Sequence, residues 1–445
     1  MKVFVDHDYK RLPAKDSGTI SVQIYDRDGV IAENGIRPRE DIATIGKPVF
    51  ESIKNLGVKI SDEVMDFLTL SLAVTAADSF VVRDNMFDGW TRDLNLTIRM
   101  NKPKIWIANK VLIEKALHFL SGDVWNLNFL GDGKLPPEPS NSGNNRKKIN
   151  LNGINCVSLF SGGLDSAIGV IDIISANKTP LLISHSYKGD KSKQDFIANE
   201  IRKKGSLSRF SANAHPVGRG MPRDITMRTR SINFLAFALV GANAANQENT
   251  PDFPIYVPEN GFISLNAPLT IRRIGALSTR TTHPFFIEMI QDLFNKLKFN
   301  VKLLNPYQFS TKGEMVKACS DKSLLKKIVS DTVSCSHWKR KNKQCGYCVP
   351  CMIRRASLLK GNVIEKNDYH HGGYKTLRGF VKNRRDLSDD VISVMMALDN
   401  LSKRKTKSWI MKSGKLNSED IDDFDRVFKM GLNEVKAFLK QENLL

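Results

Sequence analysis

Short apolar runs alternate with longer helical patterns between residues 157 and 304, and this alternation restricts the fold more than any other feature. The strand candidates are residues 157–160, 181–184, 255–257 and 301–304, with a further one beginning at Phe210. The helix candidates between them are residues 167–174, 191–204 and 230–245. Strands and helices that alternate in this way form a parallel sheet with helices on both faces. The sequence therefore predicts an α/β, doubly wound domain that binds its ligand at the carboxyl ends of the strands.

A segment rich in Gly, Pro, Ser and Asn, residues 131–150, precedes this region and has the composition of a linker. The chain has 445 residues, too many for one typical core, so we expect several domains. We assign residues 1–130 to an N-terminal domain, 151–360 to the catalytic domain and 361–445 to a helical C-terminal region.

The N-terminal region mixes two periodicities, which favours an α+β domain without a catalytic motif. Its strand candidates are residues 19–25, 94–100 and 125–129, and its helix candidates are residues 111–120 and a segment capped by Ser61. Arg83 and Arg92 flank Trp90, and we expect a surface tryptophan with two solvated arginines. In the C-terminal region, Ser388 and Ser418 are N-cap candidates, and the last apolar helix face is expected to stop at Gly431.

The segment SGGLDS lies between the first catalytic strand and its helix. Its glycines let the backbone approach a ligand, and the helix that follows offers unpaired N–H groups, so the segment suits a phosphate or pyrophosphate. We expect Asp165 to bind Mg²⁺ or to fix the loop through backbone N–H groups. The Walker spacing is absent. The predicted nucleotide contacts in this loop are Ser161, Gly162, Gly163, Leu164, Asp165 and Ser166.

Further polar residues follow the other predicted strands. Ser184 and His185 end the second strand, at the edge of the sheet where a ligand is expected; a structural role for His185 is the alternative. Lys312 follows Thr311, and could neutralise charge on the phosphates or simply begin a helix with a capping box. Arg228 and Arg230 enter an apolar helix and need an anion or an acidic partner. Glu259 would accept a proton, or else be a surface acid.

Four of the six cysteines cluster near the end of the catalytic domain. Nine residues separate Cys335 from Cys345, and two C-x-x-C steps then lead to Cys348 and Cys351. This spacing is typical of a structural Zn²⁺ held by four thiolates. An iron–sulfur cluster is the alternative metal centre, and His337 is a weaker ligand candidate.

The formal net charge is +20, which fits a nucleic acid, an anionic nucleotide or an acidic partner protein. Lysines and arginines are scattered along the chain, so nucleic-acid binding is not favoured by charge alone. No apolar stretch has the length needed to cross a bilayer, and the first residues lack an apolar signal region. We therefore expect a cytoplasmic protein without a membrane partner.

The SGGLDS loop resembles that of the PP-loop ATP pyrophosphatases, which cleave ATP between the α and β phosphates. With the later cysteine pattern, residues 155–360 resemble QueC, the 7-cyano-7-deazaguanine synthases. The resemblance implies an adenine nucleotide α hydrolase-like fold, ATP and Mg²⁺ as cofactors, and the cytoplasmic activation of 7-carboxy-7-deazaguanine. Because of its additional terminal regions, the whole chain is similar to longer QueC-like proteins of bacterial anti-phage defence, the QatC group of Qat operons.

That resemblance implies an ATP-dependent ligase that releases AMP and pyrophosphate while forming a C–N bond. It would join a deazaguanine-like carboxylate to an amine, the N-terminus of a partner protein, which the N-terminal domain would recognise; ammonia is the alternative acceptor. An adenine ring would lie against the backbone after Ser184. Asp165, Lys312 and Glu259 are its candidate catalytic residues, and Glu259 would otherwise bind a guanine-like edge. A tRNA-modifying PP-loop enzyme and a non-enzymatic scaffold are the remaining alternatives, although an intact SGGLDS loop argues against the scaffold.

Overall fold

The computed structural model describes residues 1–25, 41–140, 148–185, 191–218, 220–224, 226, 228–270, 277–338, 342–366 and 368–445. The described strands form two five-stranded sheets. The strands are β1 (Lys2–Asp6), β2 (Thr19–Ile24), β3 (Ile42–Ile45), β4 (Asp93–Arg99), β5 (Val124–Leu130), β6 (Cys156–Leu159), β7 (Pro180–His185), β8 (Ser208–Ala212), β9 (Phe253–Tyr256) and β10 (Val301–Leu304). Their orders are β3-β2-β1-β4-β5 and β8-β7-β6-β9-β10, so the two sheets have the same topology.

The described helices lie mainly between these strands and after the last one. They are α1 (Lys47–Lys54), α2 (Asp62–Phe80), α3 (Pro103–Ala108), α4 (Lys110–Ser121), α5 (Leu164–Ser175), α6 (Lys191–Arg202), α7 (Arg230–Ala245), α8 (Gly261–Ser264), α9 (Pro284–Lys296), α10 (Lys312–Ala318), α11 (Lys322–Ile328), α12 (Val349–Lys360), α13 (Leu377–Asn383), α14 (Asp389–Asn400), α15 (Thr406–Ile410) and α16 (Ile421–Gln441). Within the described segments, no helix is both long and apolar enough to cross a membrane.

The N-terminal domain is α/β, and the predicted α+β class is wrong. All strand pairs of its sheet are parallel. Strands β4 and β5 alternate between buried and less buried residues, because only one face of each is covered. A parallel sheet is usually covered on both faces. The alternation therefore indicated strands β4 and β5 correctly, but it did not reveal that they run parallel.

The two sheets contribute to one apolar core, so the N-terminal domain packs directly against the catalytic region. Helix α2 is buried from Val64 to Phe80. It packs against the N-terminal strands β2 and β4 and also against α7 of the catalytic region. Near the linker, the Ile149 backbone N–H donates to the Asn55 carbonyl at 2.8 Å. Residues 141–147 of the predicted linker lie outside the described residues.

The predicted solvated arginines are buried, so that prediction is wrong. Arg83 donates to both oxygens of Asp123 at 2.6 and 2.8 Å, and Arg92 donates to the same carboxylate at 2.7 Å. Arg92 also reaches Asp78 at 2.5 Å. Asp78 accepts the backbone N–H of Thr229 at 2.9 Å, so this charged cluster joins the N-terminal domain to the start of α7.

The catalytic sheet confirms the predicted β-α alternation. All of its strand pairs are parallel, and α7 spans the residues predicted for the apolar helix. In the C-terminal region, however, Gly431 does not end a helix, because α16 continues to Gln441. A Cβ added at Gly431 would lie 2.4 Å from Phe262 Cγ, so this glycine allows close packing instead. Helix α16 begins after Asp420, not at the predicted Ser418.

We predict that Asp123→Asn lowers the free energy of unfolding by about 3 kcal/mol or more, because it leaves two buried guanidinium groups without a full counter-charge. Urea unfolding measures this difference. Asp132→Asn is the matched control: Asp132 pairs with Arg11 at the surface, its side chain is 71% exposed, and solvent screening makes the contribution of this pair to stability much smaller. Equal effects of the two substitutions would contradict the buried network.

Candidate active site and metal centre

The SGGLDS loop connects β6 to α5 at the carboxyl end of the catalytic sheet. Gly162 has a φ of 80°, and a Cβ there would lie 2.9 Å from Gln194 Cγ. Gly163 is the N-cap of α5, and no side chain caps this helix. The hydroxyl groups of Ser161 and Ser166 lie 3.2 Å apart. The first turn of α5 therefore presents backbone N–H groups and hydroxyls at one point, as an anion site requires.

Asp165 is the centre of a buried polar cluster formed by three strand ends. One carboxylate oxygen lies 3.0 Å from Lys312 Nζ, just after β10. The other accepts the backbone and side-chain N–H groups of Asn260, after β9, at 3.1 and 2.6 Å. Strands β6 and β9 are neighbours where the strand order reverses. The cluster therefore lies at the topological switch point, where sheets of this kind bind their ligands.

Glu259 completes this cluster and shares its electrostatics. Burial works to raise the pKa of Asp165, but the Lys312 ammonium and the hydrogen bonds from Glu259 and Asn260 hold it at about 2. Burial, followed by the negative charge of Asp165, raises the pKa of Glu259 well above its ordinary value. The opposite pKa shifts favour a proton on Glu259 and a negative charge on Asp165, and Glu259 Oε1 accepts from Asn260 Nδ2 at 3.1 Å.

A cavity of about 300 Å³ opens beside the loop and the cluster. Ser161, Ser166, Arg230 and Glu259 line it, as does His185. These predicted residues come from four separate places in the sequence, and the fold brings them together. The lining also includes residues that the sequence analysis did not identify: Gln194, Phe234, Thr281 and Thr282.

Ser184 does not line the cavity but supports the loop indirectly. Its hydroxyl accepts from Arg209 Nε at 2.9 Å. Arg209 also donates to Gln194 at 2.8 Å, and Gln194 donates to the Ser161 carbonyl at 3.0 Å. This chain of hydrogen bonds fixes the first residue of the loop. Gln194 carries no motif, which explains why the sequence did not indicate its role.

Arg228 is not at the cavity, although Arg230 is. Its guanidinium carbon lies 3.8 Å from the centre of the Trp90 ring, and Nη1 donates to the Ser121 carbonyl at 3.0 Å. Burial lowers the pKa of Arg228 to about 10. Stacking on the half-exposed Trp90 therefore satisfies this arginine at the junction with the N-terminal domain. The structure therefore places Arg228 at this junction and not among the residues that line the cavity.

The four clustered cysteines form a buried group suited to a tetrahedral metal ion. All four Sγ atoms lie within 4.8 Å of one another. Cys345 and Cys351 are 3.8 Å apart, and Cys335 and Cys348 are 4.0 Å apart. Zinc–sulfur bonds of about 2.3 Å require sulfur separations of about 3.8 Å in a tetrahedron. The donor set and spacing therefore fit Zn²⁺ at a closed, structural site.

The metal centre is connected to the nucleotide loop through the segment that precedes Cys335. The Val333 backbone N–H donates to the Gly162 carbonyl at 3.0 Å. The fully buried Arg354 holds the same segment by donating to Thr332 Oγ1 at 2.7 Å and to Glu365 at 2.8 Å. Loss of the metal would therefore disturb the backbone that supports the loop.

We predict about one Zn²⁺ per chain, and Cys348→Ser should lose it because three thiolates and a hydroxyl hold zinc poorly. Elemental analysis of the purified protein measures the content. Cys319→Ser is the control, since Cys319 is also buried but lies outside the cluster. If Cys348→Ser keeps its full zinc content, or if Cys319→Ser loses zinc, the cluster is not the metal site.

We predict that Glu259→Gln flattens the dependence of stability on pH. Above the ordinary pKa of 4.5, an unfolded Glu259 is ionised whereas the folded one keeps its proton. Stability therefore falls as pH rises towards the raised pKa, by about 1.4 kcal/mol per pH unit for this group, and the neutral amide abolishes that loss. Urea unfolding at several pH values measures it, with the exposed Glu138→Gln as control. Parallel curves for wild type and Glu259→Gln would refute the protonated state.

The comparisons with known proteins agree with part of this site. Residues 282–362 match the family model for QueC, the queuosine biosynthesis protein QueC. The matched span contains Lys312 and all four clustered cysteines, whereas the SGGLDS loop precedes it. No curated protein and no solved structure matches the chain. The chain therefore carries a QueC-like region that includes its metal centre and one side of its candidate active site.

Proposed function

We propose that this protein is a PP-loop enzyme that uses ATP to adenylate a small carboxylic acid and then transfers the acyl group to an amine. The observation that carries the proposal is the buried Lys312–Asp165 pair, which lies beside a glycine loop at the switch point of a parallel sheet. The QueC-like match supports ATP-dependent chemistry of this kind, and it includes Lys312.

In the first step, a carboxylate oxygen of the substrate attacks the α-phosphorus of ATP, and the bond to the β-phosphate oxygen breaks. Pyrophosphate leaves with that bonding pair. The backbone N–H groups around Gly163 would hold it, and the Lys312 ammonium would offset the developing charge. Because Lys312 and Asn260 already occupy the Asp165 carboxylate, we expect phosphate oxygens to be the main ligands of Mg²⁺.

In the second step, the amine nitrogen attacks the acyl carbon, the bond from that carbon to the bridging oxygen breaks, and AMP leaves with that oxygen and the bonding pair. The amine loses one proton to solvent or to AMP. Holding both reactants in the cavity would supply much of the acceleration. Glu259 lines the cavity, and its carboxyl oxygens keep lone pairs beyond the one that accepts from Asn260. Such acceptors suit the ring N–H and amino group of a guanine-like edge.

We further propose that the substrate is a 7-carboxy-7-deazaguanine-like acid and that the acceptor is the N-terminus of a partner protein, as in the QatC group of anti-phage systems. The resemblance supports this part, and Glu259 supports the guanine-like edge. The N-terminal domain, which carries no catalytic motif, would recognise the partner. Ammonia as the acceptor would instead give the amide and nitrile chemistry of a 7-cyano-7-deazaguanine synthase.

We predict that the wild type exchanges ATP with labelled pyrophosphate in a carboxylate-dependent way. Lys312→Met should reduce the exchange rate about 10²- to 10³-fold, because the positive charge opposite the leaving group is lost. Lys317→Met on the same helix is the control, since Lys317 is exposed. If the wild-type protein with zinc bound supports no exchange with any deazaguanine carboxylate or related acid, adenylation is refuted and a scaffold is favoured.

To identify the acceptor, proteins encoded nearby are co-expressed with the wild type or with Asp165→Ala, and their intact masses are measured. We expect one neighbour to gain mass only with the wild type, because removal of the carboxylate frees Lys312 and Asn260 from their common partner. A nitrile product formed with ammonia, or mass gained by tRNA, would assign the acceptor to those classes and contradict the protein acceptor.

A further inference from the structure

The C-terminal helix α16 contacts both elements that supply the partners of Asp165. On one side, Gly431 packs against the Phe262 ring of α8, and Asn260 is the N-cap of α8. On the other side, the Glu434 carboxylate reaches α10, whose first residue is Lys312. A single helix therefore supports Asn260 and Lys312 from behind the cluster.

Glu434 occupies the N-terminal end of α10. One oxygen accepts the Thr311 hydroxyl at 2.5 Å, and the other accepts the Gly313 backbone N–H at 3.2 Å. Thr311 Oγ1 in turn accepts the Glu314 N–H at 3.0 Å, which closes the capping box. The residues on both sides of Lys312 are thus held by one carboxylate. This contact adds to the N-capping that the sequence predicted.

The energetic cost of placing Glu434 here indicates a specific role. Glu434 is only 8% exposed, and it forms no salt bridge with any other described residue. A buried carboxylate without a counter-ion is costly unless its hydrogen bonds compensate. Helix α10 has seven residues, too few to be stable by itself in water. The carboxylate therefore fixes an element that would otherwise be free to shift.

The two supported elements are also joined directly. The Gly261 backbone N–H donates to the carbonyls of Ser310 and Tyr307 at 2.8 and 3.1 Å. Arg426, on the same face of α16, donates to Glu314 at 2.8 Å. A displacement of α10 from α16 would therefore move Lys312 relative to Asn260 and Asp165.

We propose that Glu434 is a positioning residue for Lys312, and that helix α16 is a structural part of the active site rather than an accessory tail. The proposal rests on the function proposed above, in which Lys312 acts on the phosphates. A displacement of about 1 Å at such a site can lower the rate about 10²-fold even when the substituted residue does not touch the substrate.

The test compares Glu434→Gln with Glu442→Gln in the full-length protein with zinc bound. Glu442 follows the same helix and pairs with Arg355 at 2.6 Å, away from Lys312. We expect kcat for pyrophosphate exchange to fall about 10- to 100-fold in Glu434→Gln, with KM for ATP within about threefold of wild type. Glu442→Gln should keep the wild-type values. Thermal unfolding and zinc content identify any loss that comes from misfolding.

A second readout does not depend on activity. Amine acylation followed by mass spectrometry should label Lys312 slowly in wild type, because it is buried and paired, and several-fold faster in Glu434→Gln, with Lys317 unchanged. If Lys312 is labelled faster in Glu434→Gln but the wild type shows no exchange activity, the proposed function is refuted and the positioning role is kept. Unchanged labelling and unchanged kcat in Glu434→Gln, or equal losses in both variants, would overturn the positioning role.

Discussion

The ion pair between Lys312 and Asp165 is the interaction on which the candidate active site depends. It joins the loop after β6 to the helix after β10, and Asn260 adds the end of β9. Removing two charges from water is costly, and an apolar pair would often stabilise a fold better. The pair is therefore better explained by chemistry at this place than by stability, since it holds a cation beside an anion-binding loop.

Two separate supports converge on that pair. The segment that precedes the cysteine cluster holds the loop through Val333, and the buried Arg354 holds that segment. Helix α16 holds α10 and α8 from the opposite side, through Glu434 and Gly431. Groups that act on a phosphate must be fixed in advance if they are to stabilise the transition state without reorganisation. The QueC-like region and the C-terminal helix thus form one supporting framework.

The sequence predicted what depends on local pattern and missed what depends on packing between distant segments. The catalytic strands, α7 and the SGGLDS loop follow from hydrophobic periodicity and a short motif. Gln194 and Glu434 could not be found in this way, because an isolated polar residue on a helix gives no local signal of its partner. Gly431 shows the same limit: a glycine after an apolar helix face usually indicates an end, yet here it admits Phe262.

The N-terminal sheet shows why strand order alone does not create a nucleotide site. It has the same order as the catalytic sheet, so its switch point lies between the carboxyl ends of β1 and β4. There the buried Asp6 accepts from Arg11 and Arg99, each at 2.7 Å, and from the Asp8 backbone N–H at 2.9 Å. An acid already held by two arginines occupies the place where the catalytic sheet has glycines and backbone N–H groups. Function therefore follows the loops at the switch point and not the topology that they share.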